Sequence, residues 1–376
     1  MAGLLPDVDP EGLLEYSVVF TDRSLNHMSQ QFQQVMRDIS STLKDVYQAH
    51  SVVVVPGGGT YAMEAVARQY AHGKDCLVIR NGWFSFRWSQ IFEMGQIPAS
   101  CTVLQARQTA AQPQAPFAPP PIDDVVAAIK EQKPQLVFAP HVETASGIML
   151  PDDYIKAVAD ATHEAGGMFV LDCIASGTVW IDMAQTGVDI LISAPQKGWS
   201  SSPCSGLVML SESALKAMEN TQSSSFACDL KKWHDIMTAY ENGGHAYHAT
   251  MPTDALKRFR DTMFEIKDIG FAKLKTAQLE LGKRVRELFA ANGYQSVAAE
   301  GFGAPGVAVF YTEKPEMQTG KPFIKEGLQI AAGVPLQCDE PENFKTFRIG
   351  LFGVDKLTNV DRTVASLEEA LKKISA

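Results

Sequence analysis

The stretch Leu171-Asp172-Cys173-Ile174-Ala175-Ser176 and the later stretch Ile192-Ser193-Ala194-Pro195-Gln196-Lys197 decide the predicted fold. In the first, an apolar strand over residues 167–171 delivers an acid, Asp172, at its carboxyl end. In the second, an apolar strand over residues 188–192 delivers an amine, Lys197, at the same kind of position. Because ligands of open α/β sheets bind just outside the carboxyl ends of the strands, we expect both side chains to point into one crevice.

An acid and an amine in one crevice suit the cofactor pyridoxal 5'-phosphate. The lysine would form a Schiff base with the cofactor, and the acid would pair with the pyridinium nitrogen. This pairing keeps the ring protonated, so the ring can accept electron density when a substrate C–H bond ionises. Taken alone, the two residues leave an alternative open, which is an ordinary ion pair between a strand-end lysine and some acid.

Length, charge and cysteine pattern exclude several other classes of protein. A chain of 376 residues predicts one large and one smaller domain. A net charge of -10 argues against nucleic acid as a partner, because phosphate backbones need basic surfaces. No apolar run approaches about 18 residues and no basic, apolar leader opens the sequence, so we expect neither a membrane partner nor secretion. Six cysteines without CxxC spacing predict reduced thiols in a cytoplasmic protein, and no metal site is expected.

The order of the predicted elements indicates an α/β fold in three parts. From Ser51 strands and helices alternate regularly, which predicts a mostly parallel sheet flanked by helices in a large domain (residues 26–265). An N-terminal arm (residues 1–25) precedes this domain. A long helical pattern over residues 254–292 then leads into a smaller C-terminal α+β domain (residues 266–376). Thr358 and Asp361 predict a capping box at the start of the last helix.

A glycine-rich turn, Pro56-Gly57-Gly58-Gly59-Thr60, joins the first strand of the alternating region to a helix. Small residues let the backbone approach an anion, and the free N–H groups and dipole at a helix start favour a phosphate. The turn lacks the Gly-Lys-Ser/Thr of a P-loop and the GxGxxG of a Rossmann fold, so a nicotinamide dehydrogenase is not indicated. A turn of this kind without any ligand is the alternative, but together with Asp172 and Lys197 it becomes the expected phosphate site.

Four further segments complete a pattern known from one family. In chain order they are Asn81-Gly82-Trp83-Phe84, His141-Val142-Glu143-Thr144-Ala145-Ser146-Gly147, Tyr247-His248-Ala249-Thr250-Met251-Pro252 and Phe347-Arg348-Ile349-Gly350. With the glycine turn and the two strand ends, these segments resemble the class V aminotransferases among the fold-type I pyridoxal-phosphate enzymes. The resemblance is strongest to the alanine–glyoxylate and serine–pyruvate branch, and it extends from about Ser51 to the C-terminus.

The resemblance implies a cofactor contact for each segment of the large domain. Gly58, Gly59 and Thr60 would bind the phosphate, and Phe84 would stack on the pyridine ring. An aromatic residue in this aromatic-rich helix start could equally be plain core.

The remaining contacts to the ring come from three other segments. Thr144 would hydrogen-bond the phenolic oxygen, Asp172 would take the place of the pyridinium partner, and Ile174 would contact the second face of the ring. Gln196 precedes the Schiff-base Lys197, as it does in this branch, and is counted with the cofactor-binding residues.

The last two segments imply a homodimer and a substrate site. In the family, Tyr247 and Thr250 would reach the cofactor phosphate of the neighbouring subunit. Arg348 would grip the substrate carboxylate, although a buried structural ion pair is the alternative for this residue. The implied reaction is a ping-pong transfer of an amino group from a small amino acid to a small 2-oxo acid, with glyoxylate or pyruvate favoured. Lys197 would act in it as general base and acid.

Other functions on the same scaffold stay open at this point. A lyase such as a cysteine desulfurase needs a reactive loop cysteine, and Cys338 is the candidate. An aminotransferase acting on a phosphonate or another non-standard amine is a second alternative, and a non-catalytic protein that retains the fold is a third. Arg23, Arg80 and Arg87 could line a second anion pocket, although such arginines are more often structural. The segment Ser202-Pro203-Cys204 and the arm depart from the family pattern where substrate side chains would lie, which leaves the substrate open.

Overall fold

A computed structural model describes residues 15–375, so most of the predicted arm lies outside the described residues. The helices are α1 (Gln30–Tyr47), α2 (Gly59–Tyr70), α3 (Trp83–Gly95), α4 (Ile122–Gln132), α5 (Asp152–Glu164), α6 (Met183–Thr186), α7 (Glu212–Met218), α8 (Leu230–Glu241), α9 (Thr253–Ile269), α10 (Phe271–Ala291), α11 (Pro315–Gln318), α12 (Lys321–Lys325), α13 (Val354–Thr358) and α14 (Val360–Ser375). The strands are β1 (Ser51–Pro56), β2 (Asp75–Arg80), β3 (Ser100–Gln105), β4 (Arg107–Gln108), β5 (Phe117–Ala118), β6 (Leu136–Pro140), β7 (Val142–Glu143), β8 (Ile148–Met149), β9 (Met168–Asp172), β10 (Ile190–Ser193), β11 (Ser205–Leu210), β12 (Val307–Tyr311), β13 (Ala331–Ala332) and β14 (Thr346–Gly350).

The centre of the molecule is a seven-stranded sheet in the order β1-β11-β10-β9-β6-β2-β3. Strands β10, β9, β6, β2 and β3 are parallel, and the apolar runs of β10, β9, β6 and β2 are buried because helices such as α2, α3 and α5 pack against them. The edge strand β3 is partly exposed. The predicted, mostly parallel α/β sheet is thereby confirmed. Strand β11 was not predicted, and it pairs antiparallel with both β1 and β10.

A second, three-stranded sheet (β12-β14-β13) lies in the C-terminal part of the chain. Aromatic side chains hold α10 against it, because Phe289 stacks on Phe310 with 4.5 Å between ring centroids, and Phe347 lies beside both. The predicted boundary near residue 265 falls inside α9, and the division into domains stays a prediction.

Two local predictions were wrong. The helical pattern over residues 254–292 is two helices, α9 and α10, because Gly270 separates them with φ +105°. No capping box links Thr358 to Asp361, since the Thr358 hydroxyl donates instead to the carbonyl oxygen of Val354 at 2.9 Å. Among the described residues, no helix combines the length and the apolarity needed to cross a membrane.

The strand register brings the site segments together. Asp172, the last residue of β9, lies level with Pro140 of β6 and with Ile192 of β10. The N–H of His141 donates to the carbonyl oxygen of Asp172 at 2.8 Å, and the N–H of Cys173 donates to that of Ile192 at 2.7 Å. The segments that leave β6, β9 and β10 therefore emerge side by side at one edge of the sheet, as the parallel strand ends predict.

Candidate active site

A cavity of about 210 Å³ lies at this edge of the sheet. Most of the predicted cofactor residues line it, together with four further residues: its walls are Gly59, Thr60, Met63, Phe84, Arg87, Val142, Thr144, Asp172, Ile174, Ala175, Gln196 and Lys197. Gly58, Tyr247, Thr250 and Arg348 are predicted site residues that lie outside these walls. A larger but more open depression, about 790 Å³ beside Gln30 and Arg260, lacks any such pairing of an amine with a buried acid.

Asp172 is a buried acid at the bottom of the cavity. Its Oδ1 accepts the N–H of Ile174 at 2.9 Å, and its Oδ2 accepts no hydrogen bond from residues 15–375. Burial raises the pKa of Asp172 to about 7; the charge of Glu143 adds to the increase, whereas the Ile174 N–H and the charge of Arg87 oppose it. A cationic ring nitrogen would supply the missing counter-charge, so this carboxyl fits a protonated pyridine ring.

Lys197 lines the same cavity and belongs to the turn that follows β10. The turn packs tightly, because a Cβ atom at Gly198 would collide with the carbonyl oxygen of Gly177. The lysine Nζ lies 5.2 Å from the ring centroid of Phe352 and donates no hydrogen bond to a described residue. Burial lowers the pKa of Lys197, and the positive charge of Arg348 lowers it further. A lysine of this kind is more readily neutral and nucleophilic than one in water.

The glycine turn forms the wall at the start of α2. Gly57 has φ +119°, a conformation that favours glycine, and a Cβ atom at Gly59 would collide with the side chain of Ile174. The N–H groups of Gly59 and Thr60 donate to no acceptor among residues 15–375. These unpaired donors at a helix start fit a phosphate group.

Phe84 forms another wall and is held by the backbone around it. The buried carboxylate of Glu143 accepts the N–H groups of Phe84 at 3.3 Å and Ser85 at 2.8 Å, and also that of Ala145 at 2.9 Å. One carboxylate therefore joins the start of α3, which carries Phe84, to the turn that carries Thr144. Burial raises the pKa of Glu143, and the hydrogen bonds it accepts favour its charged form.

Gln196 provides a further test of the cofactor fit. Its Oε1 is buried at the cavity and has no hydrogen-bond partner within the described chain. A buried acceptor without a donor costs free energy, so such an atom marks a place where a bound group completes the structure. The acid, the lysine, the unpaired N–H groups and this orphan oxygen together suit pyridoxal phosphate.

Arg348 lies beside the cavity, on β14. Its guanidinium is 5.6 Å from the ring centroid of Phe84, and its Nε donates to the carbonyl oxygen of Ala332 at 2.7 Å. Its two terminal nitrogens have no acceptor, and no carboxylate pairs with them, within residues 15–375. A structural ion pair, which was the alternative for Arg348, is therefore absent from that part of the chain. The two terminal nitrogens of the guanidinium are free to bind a carboxylate through two parallel hydrogen bonds.

Tyr247 and Thr250 lie on the surface, away from the cavity of their own chain. The Tyr247 side chain is 56% exposed, and its hydroxyl lies 3.2 Å from that of Thr250. The structure thus does not bring these two predicted residues to the other site residues of the same chain.

Arg87 lines the cavity, although the sequence offered it only as one of three arginines for a second anion pocket. Of the three arginines considered for a second anion pocket, Arg23 pairs with Asp22, and Arg80 donates to the Gln337 carbonyl oxygen at 3.1 Å. Arg87 instead lines the cavity and donates to the Thr60 hydroxyl at 2.9 Å. Its position three residues after Phe84 on a helix was the available signal, because residues at this spacing share one face.

Comparisons with known proteins agree with this geometry. The sequence model of the family described as "Aminotransferase class-V" matches residues 13–341. A 2-aminoethylphosphonate–pyruvate transaminase of Vibrio vulnificus is 26% identical over 353 residues, covering 90% of this chain and 88% of the relative. An alanine–glyoxylate aminotransferase of Rattus norvegicus is 26% identical, covering 93% of this chain and 83% of the relative.

Solved structures show the same fold. An alanine–glyoxylate aminotransferase from Nostoc sp. superposes with a TM-score of 0.76 at 21% identity, covering 93% of this chain and 89% of the other. An aspartate aminotransferase from Thermus thermophilus gives a TM-score of 0.76 at 23% identity, covering 93% of both chains. The chain belongs to the class-V aminotransferase family and is a pyridoxal-phosphate-dependent aminotransferase of fold type I.

Proposed function

We propose that this aminotransferase moves an amino group from a small amino compound to a small 2-oxo acid, with pyruvate or glyoxylate as the favoured acceptor. The observation that carries the proposal is the unpaired guanidinium fork of Arg348 beside the cavity of Asp172 and Lys197. A fork of this geometry binds one carboxylate through two parallel hydrogen bonds. The names of two relatives, which specify pyruvate and glyoxylate, support the same class of acceptor.

The residues divide the chemistry among them. Bound pyridoxal phosphate supplies a carbonyl that condenses with amines and a ring that accepts electron density. Lys197 is assigned as the residue that would carry the cofactor covalently, and its Nζ would take the proton from the substrate Cα. Asp172 would place a negative charge at the ring nitrogen. Arg348 orients the substrate carboxylate, and the donor and the acceptor use the same site in turn, which gives ping-pong kinetics.

The active assembly is proposed to be a homodimer. Tyr247 and Thr250 do not line the cavity of their own chain, which supports a role in the cavity of a partner. Phe226 is a large exposed apolar side chain beside this segment, with its ring centroid 4.6 Å from that of His248. Tyr61, directly after Thr60, is also exposed. Exposed apolar groups of this kind are typical of surfaces that bind another protein. We also infer a cytoplasmic location, which the six free cysteines support.

A second candidate differs in the donor. Several relatives that cover most of the chain are 2-aminoethylphosphonate–pyruvate transaminases, which favours an amine with a phosphonate group as donor. In that case the fork of Arg348 would meet a phosphonate in one half of the cycle and a carboxylate in the other, since guanidinium groups bind both.

The desulfurase alternative is disfavoured by the state of its candidate thiol. Cys338 is 4% exposed, and burial raises the pKa of its thiol to about 12. A cysteine that attacks a substrate must instead be accessible and readily ionised.

The test of the proposed function is a comparison of kcat/KM for glyoxylate, pyruvate and 2-oxoglutarate with one good donor. The donor is found by adding alanine, serine, aspartate and 2-aminoethylphosphonate in turn and recording which one changes the cofactor absorbance. Without a cation for its distal carboxylate, 2-oxoglutarate should be disfavoured roughly 10- to 150-fold. A clear preference for 2-oxoglutarate would overturn the choice of acceptor, whereas a response to 2-aminoethylphosphonate alone would select the second candidate.

A further inference from the structure

Arg87 is a cation in the cavity that has no anionic partner in the described chain. It lies one turn after Phe84 on α3, with its guanidinium 5.3 Å from the ring centroid of Phe84. Its Nη1 donates to the Thr60 hydroxyl at 2.9 Å, at the start of α2. No carboxylate within residues 15–375 forms an ion pair with it. The guanidinium therefore bridges the wall that carries the aromatic ring and the wall that carries the unpaired N–H groups.

The charge balance of the cavity favours a cation at this end. The charged residues that line it are Asp172, Lys197 and Arg87. A phosphate monoester carries about -1.5 to -2 charges near neutral pH. The start of α2 supplies only about half a positive charge. Lys197 cannot neutralise the phosphate, because it would be bound to the other end of the cofactor. Without Arg87, a phosphate beside Thr60 would lack a full opposite charge from this chain.

We propose that Arg87 is the cation that pairs with the cofactor phosphate, and that the Thr60 hydroxyl holds its guanidinium at that end of the cavity. The proposal rests on the assignment of the Gly58-Gly59-Thr60 turn to the phosphate. It also gives α3 two roles one turn apart, since Phe84 contacts the ring and Arg87 contacts the phosphate. Arg87 is then not available to a distal carboxylate of the substrate, in agreement with the proposed preference for small acceptors.

The chain provides a closely matched control arginine. Arg80 donates to the Ser89 hydroxyl at 2.9 Å, and its guanidinium lies 4.7 Å from the ring centroid of Phe86. Arg80 therefore has the same kinds of neighbours as Arg87, a hydroxyl and an aromatic ring, but it does not line the cavity. If removing any stacked guanidinium weakens cofactor binding, then replacing Arg80 and replacing Arg87 should weaken it equally.

The experiment compares Arg87→Gln, Arg87→Lys and Arg80→Gln. Each purified holoenzyme is dialysed to equilibrium against graded concentrations of pyridoxal 5'-phosphate, and in a second series against pyridoxal, which lacks the phosphate. Bound cofactor is quantified by absorbance, and folding is checked by circular dichroism and thermal unfolding. For Arg87→Gln we expect the Kd of pyridoxal 5'-phosphate to rise roughly 10- to 100-fold and the Kd of pyridoxal to stay unchanged. Arg87→Lys should recover part of the loss, and Arg80→Gln should change neither Kd.

The results that would overturn the proposal are specific. Equal losses for the two cofactors would mean that Arg87 acts on the ring or the fold, and an unchanged Kd with a raised donor KM would make it a substrate residue. If Arg87→Gln does not fold, inorganic phosphate is used as a competitor with wild-type protein and Arg87→Lys. Weaker competition in Arg87→Lys supports the proposal, and equal competition overturns it. Failure of the proposed acceptor preference would leave these Kd ratios unaffected, so the two proposals fail separately.

Discussion

Two regions of the molecule differ in whether a single chain completes them. One is the floor of the cavity, which is formed by Asp172, Ile174 and Lys197. The other is the surface segment that carries Tyr247 and Thr250. The floor residues lie at strand ends and are buried or half-buried, so their positions follow from the sheet register. Tyr247 and Thr250 are exposed and do not line the cavity of Asp172 and Lys197 in their own chain. The difference supports the proposal that one chain supplies the acid and the lysine of the site, whereas a second chain of the proposed homodimer supplies the Tyr247 segment.

The largest expected effect comes from the floor. Lys197→Ala should lower the rate of amino transfer by at least roughly 100- to 10,000-fold, because it removes the amine that carries the cofactor and moves the proton. The fold should persist, since the lysine Nζ makes no hydrogen bond within the described chain. Borohydride reduction of the wild-type holoenzyme followed by peptide mapping checks the assignment. A label on another lysine would show that the floor is wrongly assigned.

The next effect tests the surface segment directly. Tyr247→Phe/Thr250→Ala protein and Lys197→Ala protein should each be inactive or nearly so, but mixing them after subunit exchange should restore about one working site per heterodimer. The physical reason is that one subunit of the heterodimer then carries an intact floor and receives an intact Tyr247 segment from its partner. Steady-state rates after proven exchange provide the measurement. If activity does not return, the Tyr247 segment serves its own subunit. The segment and the floor would then both be completed by one chain.

The sequence predicted those features of the site that depend on residues adjacent in the chain. Asp172 and Lys197 were recognisable because a strand and the residue that ends it are adjacent in sequence. The contacts of Glu143 with Phe84 and Ser85 were not predicted, since they join segments that only the folded sheet brings together. The same reason hid strand β11, whose apolar run gives no sign that it pairs antiparallel with two distant strands. Gly270 was overlooked within a helical pattern, because its backbone conformation is a property of the folded chain.

A third prediction concerns the electrostatics of the floor. Burial raises the pKa of Asp172 to about 7, whereas aspartate in an unfolded chain titrates near about 3.9. Between these values the folded, cofactor-free protein keeps a proton that the unfolded chain releases, so the free energy of unfolding falls as pH rises. For this single group the free energy of unfolding falls by about 1.4 kcal/mol per pH unit between the two pKa values. The total decrease, reached above about pH 7, is up to about 4 kcal/mol.

Asp172→Asn should remove that contribution, so its free energy of unfolding should fall less between pH 5 and pH 7.5 than that of the wild type. Urea unfolding of both cofactor-free proteins at the two pH values provides the measurement. Tyr247→Phe is the control from the exposed segment and should follow the wild-type pH dependence. Parallel curves for Asp172→Asn and the wild type would contradict the buried, partly protonated state of the floor acid.

The smallest expected effect contrasts two neighbouring glycines, one against the floor and one facing open space. A Cβ atom at Gly59 would collide with Ile174, whereas a Cβ atom at Gly58 meets no heavy atom of the described chain within 4 Å. Gly58 has φ -169°, extended backbone that any residue adopts. Gly59→Ala should therefore lower the free energy of unfolding by about 1–3 kcal/mol, the usual cost of overpacking, while Gly58→Ala should change it little. Urea unfolding compares the two, and dilution to dissociated subunits extends the test. If Gly58→Ala is well folded but associates less strongly, then Gly58 also lies close to the partner's surface, and the boundary between floor and interface runs close to the turn that is proposed to bind the phosphate.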